Sequence, residues 1–334
     1  MPFRDISGHR HLLDRLTRAA GRGSLPHSLI FAGPEGVGKR MAAVALAQLL
    51  NCLAPSPGDP PDACGECASC RRIARNVHAD VLVIEPGETG SIKIDQIREA
   101  IERAAYRPFE GRRRVVIIDQ AEEAIFDAQN ALLKTLEEPP PSSIFVLITA
   151  RPDMLLVTVR SRCQRLRFGR LSPADVAGVL VAAHGYSQPD AHAAAAAADG
   201  SVGVAIDVGG EGVQATREAA ARLLEGVAGS TDPRRRLDGA KTLLGTGKKS
   251  GDRQELTRRL HAVSSILRDV GVLLSRADER SLANADLKPL LNGLQRSFDR
   301  DRTLRAFSAV DRALNALDRN ASPKIVADWV ALQL

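Results

Sequence analysis

The sequence of 334 residues contains few aromatic side chains and no long apolar run. Phe, Trp and Tyr make up 3% of the residues, whereas 44% are hydrophobic and rich in Ala, Val and Leu, which favours a largely helical protein with ample core material. No stretch reaches the roughly 18 apolar residues of a membrane span, and the opening residues lack the apolar core of a secretory signal. We therefore expect a cytoplasmic protein that does not engage a membrane.

Cysteine is also scarce, but its placement is uneven. Cys52, Cys64, Cys67 and Cys70 follow the spacing C-x11-C-x2-C-x2-C. In a reducing compartment such a cluster indicates a metal site, and four thiolates can close a tetrahedral shell around Zn²⁺. An iron-sulfur cluster is the alternative, but the bacterial pattern requires a further Cys-Pro where this sequence reads RRIA. We predict structural zinc, and a core position for Cys163.

Charge is not strongly biased. The chain carries 46 basic and 40 acidic residues, a net charge of +6. A basic protein suits a partner that bears phosphates, but here the basic residues are dispersed among acidic ones. Charge alone therefore does not distinguish a nucleic-acid surface from an ordinary solvated one.

Short apolar runs predict a parallel sheet in the first half of the chain. Four of them alternate with helical segments, at 28–33, 80–86, 113–120 and 143–150. Alternation of this kind is typical of an α/β domain with helices on both faces of the sheet and a ligand at the carboxyl ends of the strands. We place this domain at residues 1–170.

The remainder of the sequence is helical in character. Ser172 is a candidate N-cap with Pro173 at the first helical position, and no β-type run follows. We predict a small helical unit over 171–228, a connector near 229–236, and a second helical unit over 229–334 with a flexible loop at 245–254. Two apolar stripes at helical spacing mark faces in this last unit that pack within the chain or against partner subunits. They are Leu256, Leu260, Val263, Leu267, Val270 and Leu274, and Leu304, Phe307, Val310, Leu314 and Leu317.

The segment AGPEGVGKRM contains a phosphate-binding motif with one departure. The G-x-x-x-x-G-K pattern comprises Gly33, Pro34, Glu35, Gly36, Val37, Gly38 and Lys39. A strand before it and a helix after it are the context in which backbone amides, the helix N-terminus and the lysine bind phosphate, so ATP or ADP is the predicted ligand. Arg40 stands where a serine or threonine would hold magnesium, and a guanidinium has no lone pair to offer a metal. We expect nucleotide binding to be weak or vestigial.

A second departure follows the third apolar run. Asp119 ends this run, as expected of an acidic residue that helps to hold magnesium, but the next residue is Gln120. An acid at that position would orient or activate the attacking water, whereas an amide cannot accept its proton. Both departures oppose hydrolysis by this chain.

Two longer segments resemble a known family. QNALLKTLEEPP at 129–140 and FVLITARPDMLLVTVRSRCQ at 145–164, together with the phosphate loop and the four cysteines, resemble the AAA+ clamp-loader subunits of bacterial DNA polymerase III. The resemblance implies a RecA-like P-loop domain with an inserted zinc module near 52–70, a helical lid over 171–228 and an all-α collar over 229–334. It also implies a part in loading the sliding clamp onto primed DNA during replication.

Within that family the chain is closer to a non-motor subunit than to the motor called gamma or tau. Besides Arg40 and Gln120, Gly203 stands where a motor would carry a nucleotide-sensing arginine in the lid. The resemblance implies that Arg162 in SRC acts in trans on ATP bound to a neighbouring subunit, and that Thr149 is the first sensor residue. An arginine suits this task because its planar cation matches phosphate oxygens. An ordinary surface ion pair is the alternative role for Arg162.

The resemblance also implies the partners of the chain. They are the motor subunits gamma or tau, the delta subunit, the sliding clamp, and primer-template DNA contacted through the complex. Two other functions stay open at this point: an ATPase motor that tolerates Arg40, and a zinc-containing module that binds DNA by itself.

Overall fold

The computed structural model describes residues 1–87, 89–208, 213–229, 232–244, 249–277, 282–318 and 321–334. The chain forms two compact units, Met1–Leu171 and Ser172–Leu334. A further division of the second unit near residue 228 stays a prediction. None of the helices in the described ranges is both long enough and apolar enough to cross a membrane.

The first unit is built on a five-stranded parallel sheet with the order β2-β3-β4-β1-β5. The strands are β1 Ser28–Ala32, β2 Val81–Ile84, β3 Arg114–Ile118, β4 Ser143–Thr149 and β5 Gln164–Arg167. The first four lie in the four predicted runs. The fifth was not predicted because its residues are Gln-Arg-Leu-Arg, which carry a single apolar side chain and lie at an edge of the sheet.

Helices cover both faces of this sheet. They are α1 Arg10–Gly21, α2 Lys39–Asn51, α3 Ala68–Ala74, α4 Ile94–Ala105, α5 Phe126–Glu137 and α6 Val157–Arg160. Because side chains alternate along a strand, Leu29 and Phe31 pack in the core with α1 and α2, whereas Ile30 packs in the core with α4 and α5. The predicted α/β fold is confirmed, and the carboxyl ends of its strands form one common edge.

The second unit is helical. Its helices are α7 Pro173–His184, α8 Gln188–Ala197, α9 Val202–Val208, α10 Val213–Ala228, α11 Pro233–Ala240, α12 Lys249–Leu274, α13 Lys288–Leu294, α14 Arg300–Asp318 and α15 Pro323–Gln333. Ser172 caps α7 as predicted, since its hydroxyl accepts a hydrogen bond from the Asp175 backbone. Helix α10 shares its hydrophobic core with α12, α14 and α15.

Two predicted loops in this unit are partly wrong. Asp232 caps α11, so the predicted connector is helical from Pro233. Helix α12 begins at Lys249, within the predicted loop, whose residues 245–248 lie outside the described ranges. Local Gly and charge content predicted breaks here, but the side chain of Asp232 accepts a hydrogen bond from Arg234 N and so caps a helix of eight residues within the first segment.

The two predicted apolar stripes differ in outcome. The α12 stripe from Leu256 to Val270 is buried, as predicted. In α14, Val310 and Leu317 are buried, but Leu304 and Phe307 are exposed, and small residues such as Ala306 complete the buried face. The interior side of α14 is therefore lined largely by alanine, which sequence periodicity of large residues does not reveal.

A buried carboxylate joins the amino end of β2 to the loop before β3. Asp80 is fully buried, accepts hydrogen bonds from the backbone N–H groups of Phe109, Glu110 and Gly111 at 2.7–2.9 Å, and pairs with Arg114 at 2.8 Å. Burial alone would raise the pKa of Asp80, but the hydrogen bonds and Arg114 together hold this pKa below its ordinary value.

We expect Asp80→Asn to lower the free energy of unfolding by about 3 kcal/mol, because it leaves Arg114 buried without its charge partner. Urea unfolding measures this. The folded-state pKa is depressed, so the stabilisation by the carboxylate is present above the unfolded value of about 3.9 and is lost as pH falls through the folded value. The difference between variant and wild type should therefore shrink in acid.

The matched control is Asp95→Asn, which removes a carboxylate from an exposed pair with Arg98. We expect this change to alter stability by no more than about 0.5 kcal/mol. Equal losses in the two variants would show that the Asp80 network does not stabilise the fold.

Candidate functional site

The predicted phosphate loop connects β1 to α2 at the carboxyl edge of the sheet. It consists of Gly33, Pro34, Glu35, Gly36, Val37 and Gly38, and Lys39 is the first residue of the helix. A Cβ atom at Gly33 would overlap the carbonyl oxygen of Phe168, and Gly38 has a φ of 95°, so both positions favour glycine. The loop therefore has a strand, a glycine-dependent turn and a helix in the order that its motif requires.

Lys39 is turned towards its own loop. Its Nζ donates hydrogen bonds to the carbonyl oxygens of Gly33 at 2.7 Å and Pro34 at 2.6 Å, and the residue is buried. Burial lowers the pKa of Lys39, while the charges of nearby carboxylates, Glu122 first, oppose this shift. To reach a phosphate, the ammonium must exchange these two carbonyls for phosphate oxygens.

Arg40 ties the start of α2 to the ends of two strands. Its Nη1 donates to Asp119 Oδ2 at 3.1 Å and also contacts Glu85 Oε1. Asp119 follows β3 and Glu85 follows the adjacent strand β2. Sequence reasoning missed Glu85, although an acid directly after an apolar run at the carboxyl edge was an available signal.

Thr149 and Glu122 complete this edge. Thr149 ends β4, where it pairs with Ala32, and its carbonyl oxygen accepts a hydrogen bond from Gly33 N at 3.2 Å. Glu122 is buried and accepts from the backbone N–H of Ala150 at 2.9 Å, while its second oxygen has no partner among the described residues. Sequence reasoning missed Glu122 because nothing in the local pattern marks it as buried.

The N-terminal segment also contacts the loop. His9 Nε2 lies 3.0 Å from the carbonyl oxygen of Val37, and its ring packs edge-on against Phe168 at 5.0 Å between centroids. A cleft of about 410 Å³ lies beside the loop and is lined by residues that include Gly33, Arg165 and Arg167. Its volume is within the range of small-ligand sites.

Arg162 does not belong to this edge. It lies just before β5, whose first residue Gln164 pairs with Leu29 near the start of β1, whereas the phosphate loop follows Ala32 at the end of β1. Because the strands are parallel, Arg162 lies towards the amino edge of the sheet and its own loop lies at the carboxyl edge.

Arg162 is held by a surface ion pair. Its Nε and Nη2 donate to Glu137 Oε2 at 3.1 and 2.8 Å, and its Nη1 donates to the carbonyl oxygen of Thr158 at 3.1 Å. The side chains of Arg162 and Glu137 are 32% and 60% exposed. The guanidinium is thus oriented by its own chain and accessible from outside it.

The four predicted metal ligands come together. The Sγ atoms of Cys52, Cys64, Cys67 and Cys70 lie within 4.8 Å of one another. Cys52 follows α2, Cys67 caps α3 and Cys70 lies within α3, so the cluster joins two helices. A tetrahedral zinc with Zn–S bonds of about 2.3 Å requires sulfur atoms about 3.8 Å apart. The Cys52–Cys64 and Cys64–Cys70 distances of 3.5 and 4.0 Å fit this requirement.

Backbone groups favour thiolates in this cluster. The N–H groups of Cys64, Cys67 and Cys70 donate to the sulfur atoms of Cys52, Cys64 and Cys67 at 3.3–3.4 Å. Burial opposes the ionisation of Cys67, but the hydrogen bonds it accepts lower its pKa to about 6. Burial raises the pKa of Cys52 and Cys70, as expected of thiols that ionise only when a metal binds. The donor set fits Zn²⁺.

Comparisons with known proteins concern mainly the first unit. A family model described as DNA polymerase III, delta subunit, matches residues 8–172. The tau subunit of DNA polymerase III from Bacillus subtilis is 36% identical over 176 residues, which are 53% of this chain and 30% of that protein. The delta' subunit from Pseudomonas aeruginosa is 38% identical over 148 residues, 44% of each chain. The aligned segments thus span less than half the length of these relatives.

Solved structures align over more of the chain at lower identity. A gamma subunit-related protein of DNA polymerase III from Thermotoga maritima covers 96% of this chain and 97% of its own, with 18% identity and a TM-score of 0.45. The clamp loader delta protein of Bacillus subtilis covers 96% and 98%, with 12% identity and a TM-score of 0.32.

Proposed function

Through residues 8–172 the chain is a member of the clamp-loader family of DNA polymerase III subunits, and from this membership we propose that it is a subunit of the delta-prime type. In this role it is a rigid element of the ring that loads the sliding clamp onto primed DNA. It hydrolyses little or no ATP itself and supplies Arg162 to the ATP site of a motor neighbour.

The observation that carries this proposal is the separation of Arg162 from its own phosphate loop. The arginine lies just before β5 and the loop follows β1, at opposite edges of one parallel sheet. An arginine so placed cannot serve the nucleotide of its own chain, but it is exposed to a subunit packed against that edge. The phosphate loop adds support, since Arg40 is paired with Asp119 and Glu85.

The pair of Arg162 with Glu137 suits transfer of the arginine to a neighbour. An ion pair this exposed contributes at most about 1 kcal/mol to the free energy of unfolding. The triphosphate of a bound nucleotide carries several negative charges and offers oxygens that match the planar guanidinium. Glu137 therefore orients Arg162 in the free chain, and the phosphates of a neighbour's nucleotide can replace Glu137 as its partner.

The second unit is proposed to join the collar of the assembly. Leu304 and Phe307 of α14 are exposed apolar side chains on a helix whose opposite side is packed in the core. Burial of such side chains against helices of other subunits would remove apolar surface from water. Contact with the clamp and with primer-template DNA is proposed to occur through the complete complex.

The four cysteines are proposed to hold one structural zinc ion. Four thiolates complete a tetrahedral shell and leave no open position, so zinc would supply a cross-link between α2 and α3 and no catalysis. Any ATP or ADP would bind at the phosphate loop, through the amides that follow Gly33 and through Lys39.

A motor subunit is the second candidate, favoured by the 36% identity to a tau subunit and by the presence of Lys39 and Asp119. Mixing the purified chain with motor and delta subunits, then measuring native mass and ATPase activity, separates the two roles. We expect a complex that contains all three proteins, and background turnover by the chain alone. Strong turnover by the isolated chain, abolished by Lys39→Ala, would establish the motor instead.

A further inference from the structure

Arg40 stands at the sequence position where phosphate-loop enzymes have a ligand of their Mg²⁺ ion. In such enzymes Mg²⁺ is held by a hydroxyl directly after the loop lysine and by an acid at the end of a neighbouring strand. This chain retains the acid, Asp119, but has Arg40 in the place of the hydroxyl. The residues present do not fit Mg²⁺, because a guanidinium offers no lone pair.

The Arg40 guanidinium also pairs with the carboxylates that could bind a metal ion. A single nitrogen, Nη1, contacts carboxylate oxygens from two strands, Asp119 Oδ2 at 3.1 Å and Glu85 Oε1. The Asp119 side chain is only 12% exposed, so Arg40 is the cation that balances a largely buried carboxylate. The two carboxylates come from the ends of adjacent strands and meet at one point. Without Arg40, a divalent ion could bind to them there.

Arg40 balances the negative charge of carboxylates near the phosphate loop. Arg40 pairs with Asp119 and Glu85, and the carboxylates that act on Lys39 are those of Glu122, Glu35 and Asp119. Lys39 is already hydrogen bonded to two carbonyl oxygens of the loop. Without Arg40, Asp119 and Glu85 would face each other with no positive group between them, which favours the binding of a cation from solution.

We infer that the Arg40 guanidinium occupies the position of the divalent cation, so that this loop binds no Mg²⁺ and accepts nucleoside di- or triphosphate only as the metal-free anion. This inference deepens the proposed lack of hydrolysis. A metal ion entering the site would have to displace Arg40 from both acids and then remain beside its fixed positive charge.

The test measures Mn²⁺ binding to the purified full chain from the electron paramagnetic resonance signal of free Mn²⁺. We compare wild type, Arg40→Thr, and Arg40→Thr combined with Asp119→Asn. The threonine variant should bind one Mn²⁺ at least about tenfold more tightly than wild type, because it frees two carboxylates and adds a hydroxyl ligand. The added Asp119→Asn change should abolish this gain.

The matched control is Arg160→Thr, which removes a surface arginine paired with Asp153 and should create no metal site. Wild type that binds Mn²⁺ as tightly as Arg40→Thr would overturn the inference. A folded Arg40→Thr protein with no gain in Mn²⁺ affinity would also overturn it.

A second measurement needs no variant. Binding of a fluorescent ADP analogue to wild type should change by less than about twofold when Mg²⁺ is left out of a buffer that contains no chelator, and a tenfold loss would contradict the inference. Both measurements use the chain without partners. Their result therefore stands whether or not Arg162 acts on a neighbouring subunit.

Discussion

Arg162→Ala is expected to reduce ATP turnover at the neighbouring subunit's site by on the order of 10³-fold, at the low end of what a trans-acting arginine contributes. The loss arises because the developing charge on the transferred phosphoryl group is left without its cation. The measurement is the clamp- and DNA-stimulated ATPase of the reconstituted loader, with the variant chain in place of wild type. Nucleotide affinity should change far less than turnover, because the arginine acts mainly in the transition state.

Two further variants make this result specific. Arg160→Ala removes a nearby surface arginine that pairs with Asp153, and should leave turnover within about twofold of wild type. Arg162→Lys keeps the charge but loses the planar fork, and should recover only part of the rate. Equal turnover with Arg162→Ala and wild type would refute the trans role. The pair with Glu137 is exposed, so the variant chain should fold normally.

Loss of zinc is expected to lower the free energy of unfolding of the first unit by on the order of 4 kcal/mol. Cys52 and Cys70 are fully buried in the core that also contains Phe3 and Ile6. Without the metal, the cross-link between α2 and α3 is absent and these sulfur atoms no longer have a common partner. Zinc content and urea unfolding, before and after chelation, measure the effect.

Cysteine variants provide the internal control. Cys64→Ser should reduce bound zinc and lower stability in the same way as chelation. Cys163 lies outside the cluster, and burial raises the pKa of its thiol to about 12, so it stays protonated. Cys163→Ser should leave zinc content unchanged and alter stability by about 1 kcal/mol at most. The metal assignment would be contradicted if protein purified under reducing conditions contained no zinc and unfolded at the same urea concentration with and without a chelator.

Some errors of the sequence reading have a clear physical origin. Strand β5 was missed because an exposed edge strand needs no apolar side chains, and its stability comes from backbone hydrogen bonds with β1. The stripe in α14 divides into Val310 and Leu317, which pack in the core together with alanines, and Leu304 and Phe307, which point away from the core. Periodicity of large residues identifies a packing face only where large residues form that face.

The sequence by itself determined the features that depend on contiguous residues. The glycines and lysine of the phosphate loop lie within seven positions, so their spacing predicts the strand, turn and helix around them. The substitutions at Arg40 and Gln120 were visible for the same reason. Three of the four clustered cysteines are also close in sequence, and their spacing predicted a cluster whose sulfur atoms the fold brings together.

Only the tertiary structure decided which residues those features meet. Glu85 and Asp119 are separated in sequence and reach Arg40 because β2 and β3 are neighbours whose carboxyl ends share one edge. The same parallel arrangement puts Arg162, which precedes a strand, at the edge opposite a loop that follows one. Spacing along the chain determines local conformation, whereas strand order and direction determine which distant side chains come into contact.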